Sequence, residues 1–583
     1  MSAGLTAQES SAKYLVNLPP PLVRHFDLIA QAPGGVARLR ELILTLAVQG
    51  KLVPQDPKDE PAIQLLKRSR EVVRLQMENG LAKKEKPAAV FSDGEVEAYL
   101  PAGWQWCRLT DTAQYINGLA LKPTDQSDTS LPIIRIQNLS GRSQEFNRAA
   151  GDFDVSVIVE PGDILVSWSA TLEAYVWSGE RGVLNQHIFR VQPSPCMNKR
   201  YLYWLLKWAI RKLASSDHAH GLVMTHINRG PFLAMPVRLP PLAEQSRIVT
   251  RVEELMQLCD ALEASGQLEA QQHAQLVHTL LGTLTQSETP EALADNWQRI
   301  ATHFDVLLDR PEAVDALEQT ILQLAVRGLL VPQDPTDESA SVLLQKIRTE
   351  KDHLIAQGKI KRDKPLPTIT DEKKLFQLPQ KWEWTSLVGV ALNGPTNGVS
   401  PKPQELPTNV RCLSLSATTQ GVFKPECFKY VDVESRVAEQ FFLKTGDLLI
   451  QRGNSIDYVG IAAVYDGPDD AYIYPDLMMR LQLSKLVNAE FIHIALVCIE
   501  GRSYFRNNAT GTQGTMPKVN QATVAGAPIP LPPLDEQSRI VCRVNELRSI
   551  CADLRQRLSV GHAVQSHLAD ALVSTRMRKI GHE

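Results

Sequence analysis

The chain has 583 residues, of which 43% are hydrophobic and 22% are charged, and its formal net charge is −3. This length exceeds what one hydrophobic core supports, so several domains are expected. The composition is that of a folded globular protein, and the near balance of charges gives no overall indication of a nucleic-acid partner.

Neither a membrane span nor an export signal is predicted. The longest apolar run, at 491–499, is too short to cross a bilayer, and the first residues lack the basic and apolar regions of a signal peptide. The eight cysteines are scattered with no Cys-x-x-Cys pair, which is typical of reduced thiols. A cytoplasmic location without a membrane partner is therefore expected.

The first hundred residues predict a helical region. Apolar residues at helical spacing run from 36 to 48 and precede Gly50, a residue typical of a helix C-terminus. A second helix is predicted over 62–79, and the charged linker Ala82-Lys-Lys-Glu-Lys-Pro87 follows it.

Residues 101–238, which we call the first insert, change to short β-rich runs separated by turn residues. One helix is predicted over 199–214. The predicted strands are at 104–109, 131–136, 163–166, 187–191 and 234–239. The first insert is therefore expected to be a mixed α/β domain.

A long helix is predicted next, and it opens with Leu239-Pro-Pro-Leu-Ala-Glu-Gln245. Proline needs no N–H at a helix start, and Glu and Gln suit the positive end of the helix dipole. Ile248, Val252 and Leu255 recur at spacings of four and three, the seam of a helix that pairs with another helix. A core stripe in a globular domain is the simpler alternative for one short seam.

The same features return in the second half of the chain. Leu531-Pro-Pro-Leu-Asp-Glu-Gln537 lies 292 residues after its first copy, and Ile540, Val544 and Leu547 keep the register of the first seam. Two seams in one register favour long helices that pack antiparallel against each other through these six residues.

The repeat extends upstream, which indicates an internal duplication. Leu46-Ala-Val-Gln-Gly50 returns as Leu324-Ala-Val-Arg-Gly328, while the middle segments differ. In the second insert, strands are predicted at 382–390, 410–415, 447–451, 459–465 and 477–483, and a helix over 489–500. The predicted domains are 1–100 (helical), 101–238 (first insert), 239–290 (long helix), 291–378 (repeat of the helical region), 379–530 (second insert) and 531–583 (second long helix).

These patterns predict an α+β fold with two mixed α/β domains separated by long antiparallel coiled-coil helices, related by pseudo-twofold symmetry. No phosphate-binding loop, dinucleotide fingerprint or methyltransferase motif is present. Glu372-Lys-Lys374 fits surface charge better than a nuclease site. His218-Ala-His220 lacks a supporting carboxylate or cysteine, so a polar loop is favoured over a metal site and no metal is predicted.

Loops of both inserts carry side chains suited to DNA, because Arg, Lys, Asn and Gln contact base edges and phosphates. Neither insert is strongly basic, with net charges of +3 and −1 from 14 Lys+Arg against 11 Asp+Glu and 13 against 14. The alternative is that these residues cover exposed loops. The candidates are His218, His220, His226, Asn228 and Arg229 in the first insert, and Arg452, Arg502, Arg506, Asn507, Gln513, Lys518 and Asn520 in the second.

Position divides these candidates into two groups. Lys518-Val-Asn520 aligns with His226-Ile-Asn228 just before the strand that leads into each long helix, which suits contacts to the DNA backbone. Arg502, Arg506, Asn507 and Gln513 have no clear partner in the first insert, so sequence-specific contacts are expected there.

The paired Leu-Pro-Pro-Leu-x-Glu-Gln motifs, Gly162-Asp-Ile-Leu165, Gly446-Asp-Leu-Leu449 and Asn185-Gln-His-Ile-Phe189 make the chain resemble the specificity subunit of a type I restriction–modification enzyme. The resemblance covers nearly the whole chain. It implies two target-recognition domains, each reading one half of a bipartite DNA sequence, and helices that set the spacer between them.

The resemblance also implies partners and a division of chemistry. Two modification subunits would bind S-adenosylmethionine and methylate adenine, and restriction subunits would add ATP-driven translocation and Mg-dependent cleavage. No cofactor and no catalytic residue are expected on this chain. Residues 1–100 and 291–378 are additions to the simplest members of the family and are expected to serve subunit docking.

Two other hypotheses compete with a specificity subunit. One is a DNA-binding catalytic protein, a nuclease or methyltransferase without recognisable motifs, which a turnover assay on the isolated chain would reveal. The other is a scaffold that binds only proteins, which the divergence of the two inserts disfavours.

Overall fold

A computed structural model shows a mixed α+β chain that divides into two compact units. The first unit comprises Met1–Leu268 and His562–Glu583, and the second comprises Glu269–Gly561. The structure describes residues 29–79, 91–92, 95–96, 100–121, 126–169, 171–214, 219–220, 226–227, 229–360, 369, 374–511 and 516–579. Within these ranges, no helix is both long and apolar enough to cross a membrane.

The first half of the chain runs from a helical region through the first insert into a long helix. Its helices are α1 (Gly35–Val48), α2 (Ala62–Glu78), α3 (Leu109–Thr112), α4 (Ile136–Leu139), α5 (Lys199–Ala214), α6 (Arg229–Ala234) and α7 (Leu242–Thr285). Its strands are β1 (Gln105–Arg108), β2 (Ala113–Asn117), β3 (Gln126–Ile134), β4 (Arg148–Ala149), β5 (Ile158–Val159), β6 (Ile164–Ser167), β7 (Glu173–Val176), β8 (Gly182–Leu184), β9 (Ile188–Pro193), β10 (Ala219–His220), β11 (His226–Ile227) and β12 (Pro236–Leu239).

The second half repeats this order. Its helices are α8 (Pro290–Thr302), α9 (Phe304–Leu307), α10 (Pro311–Val326), α11 (Ala340–Ala356), α12 (Ser435–Ala438), α13 (Ala489–Val497), α14 (Ile499–Asn507), α15 (Gln521–Ala525) and α16 (Leu534–Lys579). Its strands are β13 (Glu383–Ser386), β14 (Ala391–Asn397), β15 (Pro403–Gln404), β16 (Val410–Leu413), β17 (Phe428–Val431), β18 (Leu448–Gln451), β19 (Ala462–Val464), β20 (Met478–Leu483) and β21 (Pro528–Leu531).

The sheets of the two inserts confirm the internal duplication. An antiparallel four-stranded sheet has the order β2-β9-β6-β7 in the first insert and β14-β20-β18-β19 in the second. Each insert is closed by a strand pair at its ends, with Gln105 opposite Leu239 and Glu383 opposite Leu531. The other main sheets differ, because β4-β3-β8-β5 contains a parallel pair while β15-β17-β16 is antiparallel.

A buried polar joint ties the first long helix to its insert and its helical region. Glu244 is fully buried, and its carboxylate accepts hydrogen bonds from Trp104 Nε1 at 2.9 Å and Gln55 Nε2 at 3.1 Å. One turn later, Arg247 pairs with Asp59 at 2.6 Å. Burial raises the pKa of Glu244, although these donors oppose that shift.

The neighbouring glutamine holds the insert helix. Gln245 is fully buried and accepts the backbone N–H of Asn198, just before α5, at 2.7 Å. Its amide nitrogen donates to the Pro240 carbonyl at 3.1 Å. The repeated glutamate and glutamine are therefore structural, because each satisfies buried groups from a different segment.

The second half contains the same joint. The matching bonds run from Trp382 and Gln333 to Glu536, from the Asn488 N–H to Gln537, and from Arg539 to Asp337. Three segments that lie far apart in sequence repeat in both halves: the Trp segment, Val-Pro-Gln-Asp-Pro and Leu-Pro-Pro-Leu. The joint explains why all three repeat, because each of them contributes to it.

The seam residues lie in the hydrophobic cores of their own units. Ile248, Val252 and Leu255 are buried in the hydrophobic core of the first unit, together with α1 and α5. In the second unit, Ile540 and Val544 belong to the core that includes α10 and α13, and Leu547 packs against it. Each stripe is therefore the line along which a long helix joins its own unit, and pairing of the long helices through these residues stays a prediction.

An ion pair with reversed charges occupies equivalent places in the two units. Arg40 of α1 pairs with Asp260 at 2.6 Å and with Glu263 at 2.8 Å. In the second unit the charges are exchanged, because Glu318 of α10 pairs with Arg548 at 3.0 Å and with Arg555. The reversal favours docking of each helical region on its own long helix, since the exchanged pairing would bring like charges together.

A buried carboxyl group gives the second insert a distinct dependence on pH. In the first insert, Asp163 accepts a hydrogen bond from Arg190 at 2.8 Å. The equivalent Arg480 donates instead to the Phe442 carbonyl at 2.7 Å, and burial raises the pKa of Asp447 from 3.8 to about 6. The unfolded chain therefore binds fewer protons than the folded chain between these values, so this group stabilises the fold at low pH and loses that contribution as the pH rises.

We expect Asp447→Asn to stabilise the second unit at neutral pH by about 2–3 kcal/mol, since each unit of raised pKa corresponds to about 1.4 kcal/mol. The gain should shrink as the pH falls from 7 to 4, where the carboxyl group is already protonated. Denaturant unfolding across this range measures it. Asp163→Asn is the matched control and should destabilise the chain, because it weakens an ion pair; equal effects at pH 4 and pH 7 for Asp447→Asn would contradict the expectation.

Candidate nucleic-acid interface

Three segments of the second insert meet beside the end of β18, and we call them the loop cluster: residues 452–461, 508–511 and 516–520. Thr510 and Lys518 exchange two backbone hydrogen bonds of 2.9 Å, and the Val519 N–H donates to the Arg452 carbonyl at 2.8 Å. Backbone pairing therefore fixes the relative position of the three segments, although the first lies far from the other two in sequence.

Four predicted DNA contacts lie in or next to the loop cluster. Within it Lys518 is exposed and Arg452 is half-buried, and Arg506 and Asn507 are exposed at the end of α14, directly before residues 508–511. Arg452 Nε is buried without a hydrogen-bond partner among the described residues. Asp457, 3.9 Å from Arg506, is a carboxylate within the cluster. The exposed side chains of Lys518, Arg506 and Asn507 suit phosphate and base-edge contacts.

The segment that contains Arg502 is helical, which corrects the prediction of a loop there. The predicted helix breaks at Cys498, whose backbone is extended, and α14 begins at the next residue. Arg502 lies on the buried side of α14 with Phe505, and its Nη2 donates to the Asp457 carbonyl at 2.8 Å. Burial lowers the pKa of Arg502 to about 10. Arg502 therefore supports the loop above it and does not present its side chain to DNA.

Two further candidates have different outcomes. Asn520 is exposed, but its side chain accepts the Thr523 N–H at 2.8 Å and caps α15, so its first role is structural. Gln513 lies outside the described residues.

In the first insert, the hairpin of β10 and β11 corresponds to the Thr510 and Lys518 pairing, with His220 opposite His226. Arg229 is exposed at the start of α6, and its Nη2 donates to the Tyr115 carbonyl at 3.4 Å. His218 and Asn228 lie outside the described residues. The DNA contacts of this insert stay a prediction.

Sequence reasoning missed the apolar side chains of the loop cluster. Ile456, Tyr458 and Met516 are 40%, 42% and 48% exposed. Two of them, Ile456 and Tyr458, could have been found from sequence. Aligning the two Gly-Asp strands shows that the connection after β18 is longer than the connection after β6.

A second missed feature lies at the end of β6. The Trp168 N–H donates to the His187 carbonyl at 3.1 Å, and the Arg452 N–H donates to the Leu477 carbonyl in the same way. The rings of Trp168 and His187 are 4.8 Å apart, and His187 has a φ of +72°. A positive φ is uncommon for residues other than glycine, and residues held in sparsely populated backbone regions cluster at functional sites.

No group of three or more His, Cys, Asp or Glu residues suited to a metal ion occurs in the part of the chain that the structure describes. The cysteines in that part are free, and burial raises the pKa of Cys107 and Cys498. These thiols are therefore poor nucleophiles at neutral pH.

Comparison with known proteins identifies the family. The family model of the type I restriction modification DNA specificity domain matches residues 101–271 and 414–559. The EcoAI specificity subunit of Escherichia coli is 36% identical over 92% of this chain and 93% of its own length. The EcoEI specificity subunit of Escherichia coli is 33% identical over 93% of this chain and 94% of its own length.

Among solved structures, a chain from work on complex assembly and conformational transition of the type I R-M system is 15% identical, with a TM-score of 0.47. It covers 82% of this chain and 98% of its own length. On the family match and the two Escherichia coli relatives, this chain belongs to the specificity subunits of type I restriction enzymes.

Proposed function

We propose that the chain recognises a bipartite sequence in double-stranded DNA, with each insert acting as a target-recognition domain for one half. The observation that carries this proposal is the loop cluster, where backbone hydrogen bonds join the segments of Arg452 and Lys518, and α14 places Arg506 and Asn507 directly before residues 508–511. The matching hairpin in the first insert supports a second reading surface. As a specificity subunit, the chain supplies recognition and no catalysis.

The long helices are proposed to set the spacer and to dock two modification subunits. At 1.5 Å per residue, α7 is about 66 Å long, and a turn of DNA is about 34 Å. Leu268 and Leu276 of α7 are 53% and 51% exposed, and the residues 292 positions later, Val560 and Leu568 of α16, are 57% and 52% exposed. Exposed apolar residues at equivalent positions of both helices suit two copies of one partner.

Chemistry is proposed to lie on the partners. The modification subunits would bind S-adenosylmethionine, and the restriction subunits would use ATP and Mg²⁺ in the cytoplasm. The isolated chain is expected to turn over none of these compounds in the presence of DNA. Methylation or cleavage by the isolated chain would favour the alternative, a DNA-binding nuclease or methyltransferase.

Lys518→Ala should weaken DNA binding to all sequences alike, because an exposed lysine before α15 is placed to neutralise a phosphate. The slope of log affinity against log salt concentration should fall by about one unit. Binding of the complex with modification subunits is measured on target and scrambled duplexes across a salt series.

Lys429 is exposed on β17, in the sheet β15-β17-β16. Lys429→Ala is the matched control and should leave both the affinity and the salt slope unchanged. A loss confined to the target duplex would assign Lys518 to base reading. Equal binding by Lys518→Ala and the unsubstituted complex would remove it from the interface.

A further inference from the structure

The connection after the Gly-Asp strand differs between the inserts. In the first insert, residues 168–172 join β6 to β7. In the second, residues 452–461 join the equivalent β18 to β19, which makes this loop twice as long. The added residues include Ile456 and Tyr458, and they lie at the loop cluster. The strands that carry the two loops have the same order and pairing, so the difference concerns the surface and not the scaffold.

The longer loop is held in place by its surroundings. The Gly460 N–H donates to the Gln451 carbonyl at 2.8 Å and closes the loop at its base. Arg502 Nη2 donates to the Asp457 carbonyl at 2.8 Å and supports the middle of the loop. Gly460 has a φ of +73°, and a Cβ there would lie 2.3 Å from Phe505 Cγ, so the backbone rests directly on this ring. The loop therefore presents its side chains from a fixed backbone.

This fixed loop presents apolar side chains among cations. Ile456 and Tyr458 are 40% and 42% exposed, although burying them would be favourable. Arg452 begins the same loop, and Arg506 and Lys518 flank it. A surface of this kind complements the major groove of DNA, where phosphates attract the cations and the 5-methyl group of thymine offers an apolar contact.

We propose that residues 452–461 read thymine in one half of the DNA target, with Ile456 and Tyr458 contacting the 5-methyl group. This inference rests on the proposed function and adds the chemical feature that the second insert recognises. The matched loop of the first insert is too short to carry equivalent residues, so the other half of the target is read by different contacts.

Uracil in place of thymine tests the proposal, because it pairs identically and lacks only the methyl group. The DNA target is first identified from a map of methylated adenines. Exchange of the first insert then shows which half of the target each insert reads. The complex with modification subunits is then bound to duplexes in which each thymine is replaced singly. We expect a loss of roughly three- to tenfold at one or two thymines of the half assigned to the second insert.

Two variants and one control connect this loss to the loop. Ile456→Ala or Tyr458→Ala should bind the thymine and uracil duplexes equally at the affected position. Val155→Ala, which shortens the side chain of a residue 77% exposed in the first insert, should keep the discrimination of the unsubstituted complex.

The proposal is overturned if the unsubstituted complex binds every uracil duplex as tightly as the target, or if this half contains only G·C pairs. It is equally overturned if both variants keep the discrimination, or if they lose the modification subunits instead, which would make the patch a protein-docking surface. Failure of the proposed function itself is separate, because the unsubstituted complex would then bind target and scrambled duplexes alike.

Discussion

Val544→Asp should unfold the second unit, with a loss of about 4 kcal/mol or more in its free energy of unfolding. Val544 is completely buried in the core formed with α10 and α13, so the carboxylate would lie among the apolar side chains of that core. Hydrogen exchange followed by peptide mass spectrometry measures the effect segment by segment. Protection should be lost in α10, α13 and α14 and retained in α1 and α5.

Val560→Asp is the matched control, because it makes the same change on the same helix at a position 57% exposed. It should leave hydrogen exchange in α10 and α13 unchanged. Loss of protection in both units for Val544→Asp would show that they fold as one. Unchanged protection would contradict the placement of the α16 stripe in the core.

The duplication, the two inserts and the two long helices could be predicted from sequence because they depend on local signals. Proline pairs, helical periodicity and β-rich runs are properties of neighbouring residues, so α5 and the start of α7 lie close to where the patterns place them. The partner of a stripe is a different matter. The spacing of Val252 and Val544 shows that one side of each helix is buried, but it does not show which element covers that side.

In the candidate site, too, local sequence signals predict some features and only the folded chain shows the others. Lys518 and its histidine counterpart could be aligned from sequence, and the structure gives both a place in a paired strand segment. Arg502 could not be separated from Arg506 by composition, because only the restart of the helix at residue 499 directs one inward and the other outward. The apolar residues Ile456 and Tyr458 escaped notice because exposure is a property of the folded chain.

Replacing residues 105–239 by the corresponding segment of a relative should change one half of the recognised DNA sequence and leave the other half intact. The ends of the segment are neighbours in space, because Gln105 lies opposite Leu239 in the β1–β12 pair. Trp104 and Glu244 lie just outside the exchanged residues, so the buried joint between them is retained.

Several contacts cross the boundary and set what the donor segment must keep. Arg70 pairs with Asp111 at 2.9 Å, and Glu253 pairs with Arg200 at 2.6 Å. Gln245 accepts the backbone N–H of Asn198, so any residue except proline at that position preserves the bond. Maps of methylated adenines in cells carrying the exchanged chain give the result. The affinity for the original target should fall by roughly a thousandfold or more, toward that of non-specific DNA, because half of the base contacts are replaced.

The same exchange made at residues 383–531 is the reciprocal control, since β13 and β21 close the second insert in the same register. It should change only the other half of the target, and the two exchanges together should change both. We expect separate reading because each insert forms its own sheets and is closed at its ends by one strand pair. Methylation maps in which a single exchange altered both halves would show that the inserts do not read independently.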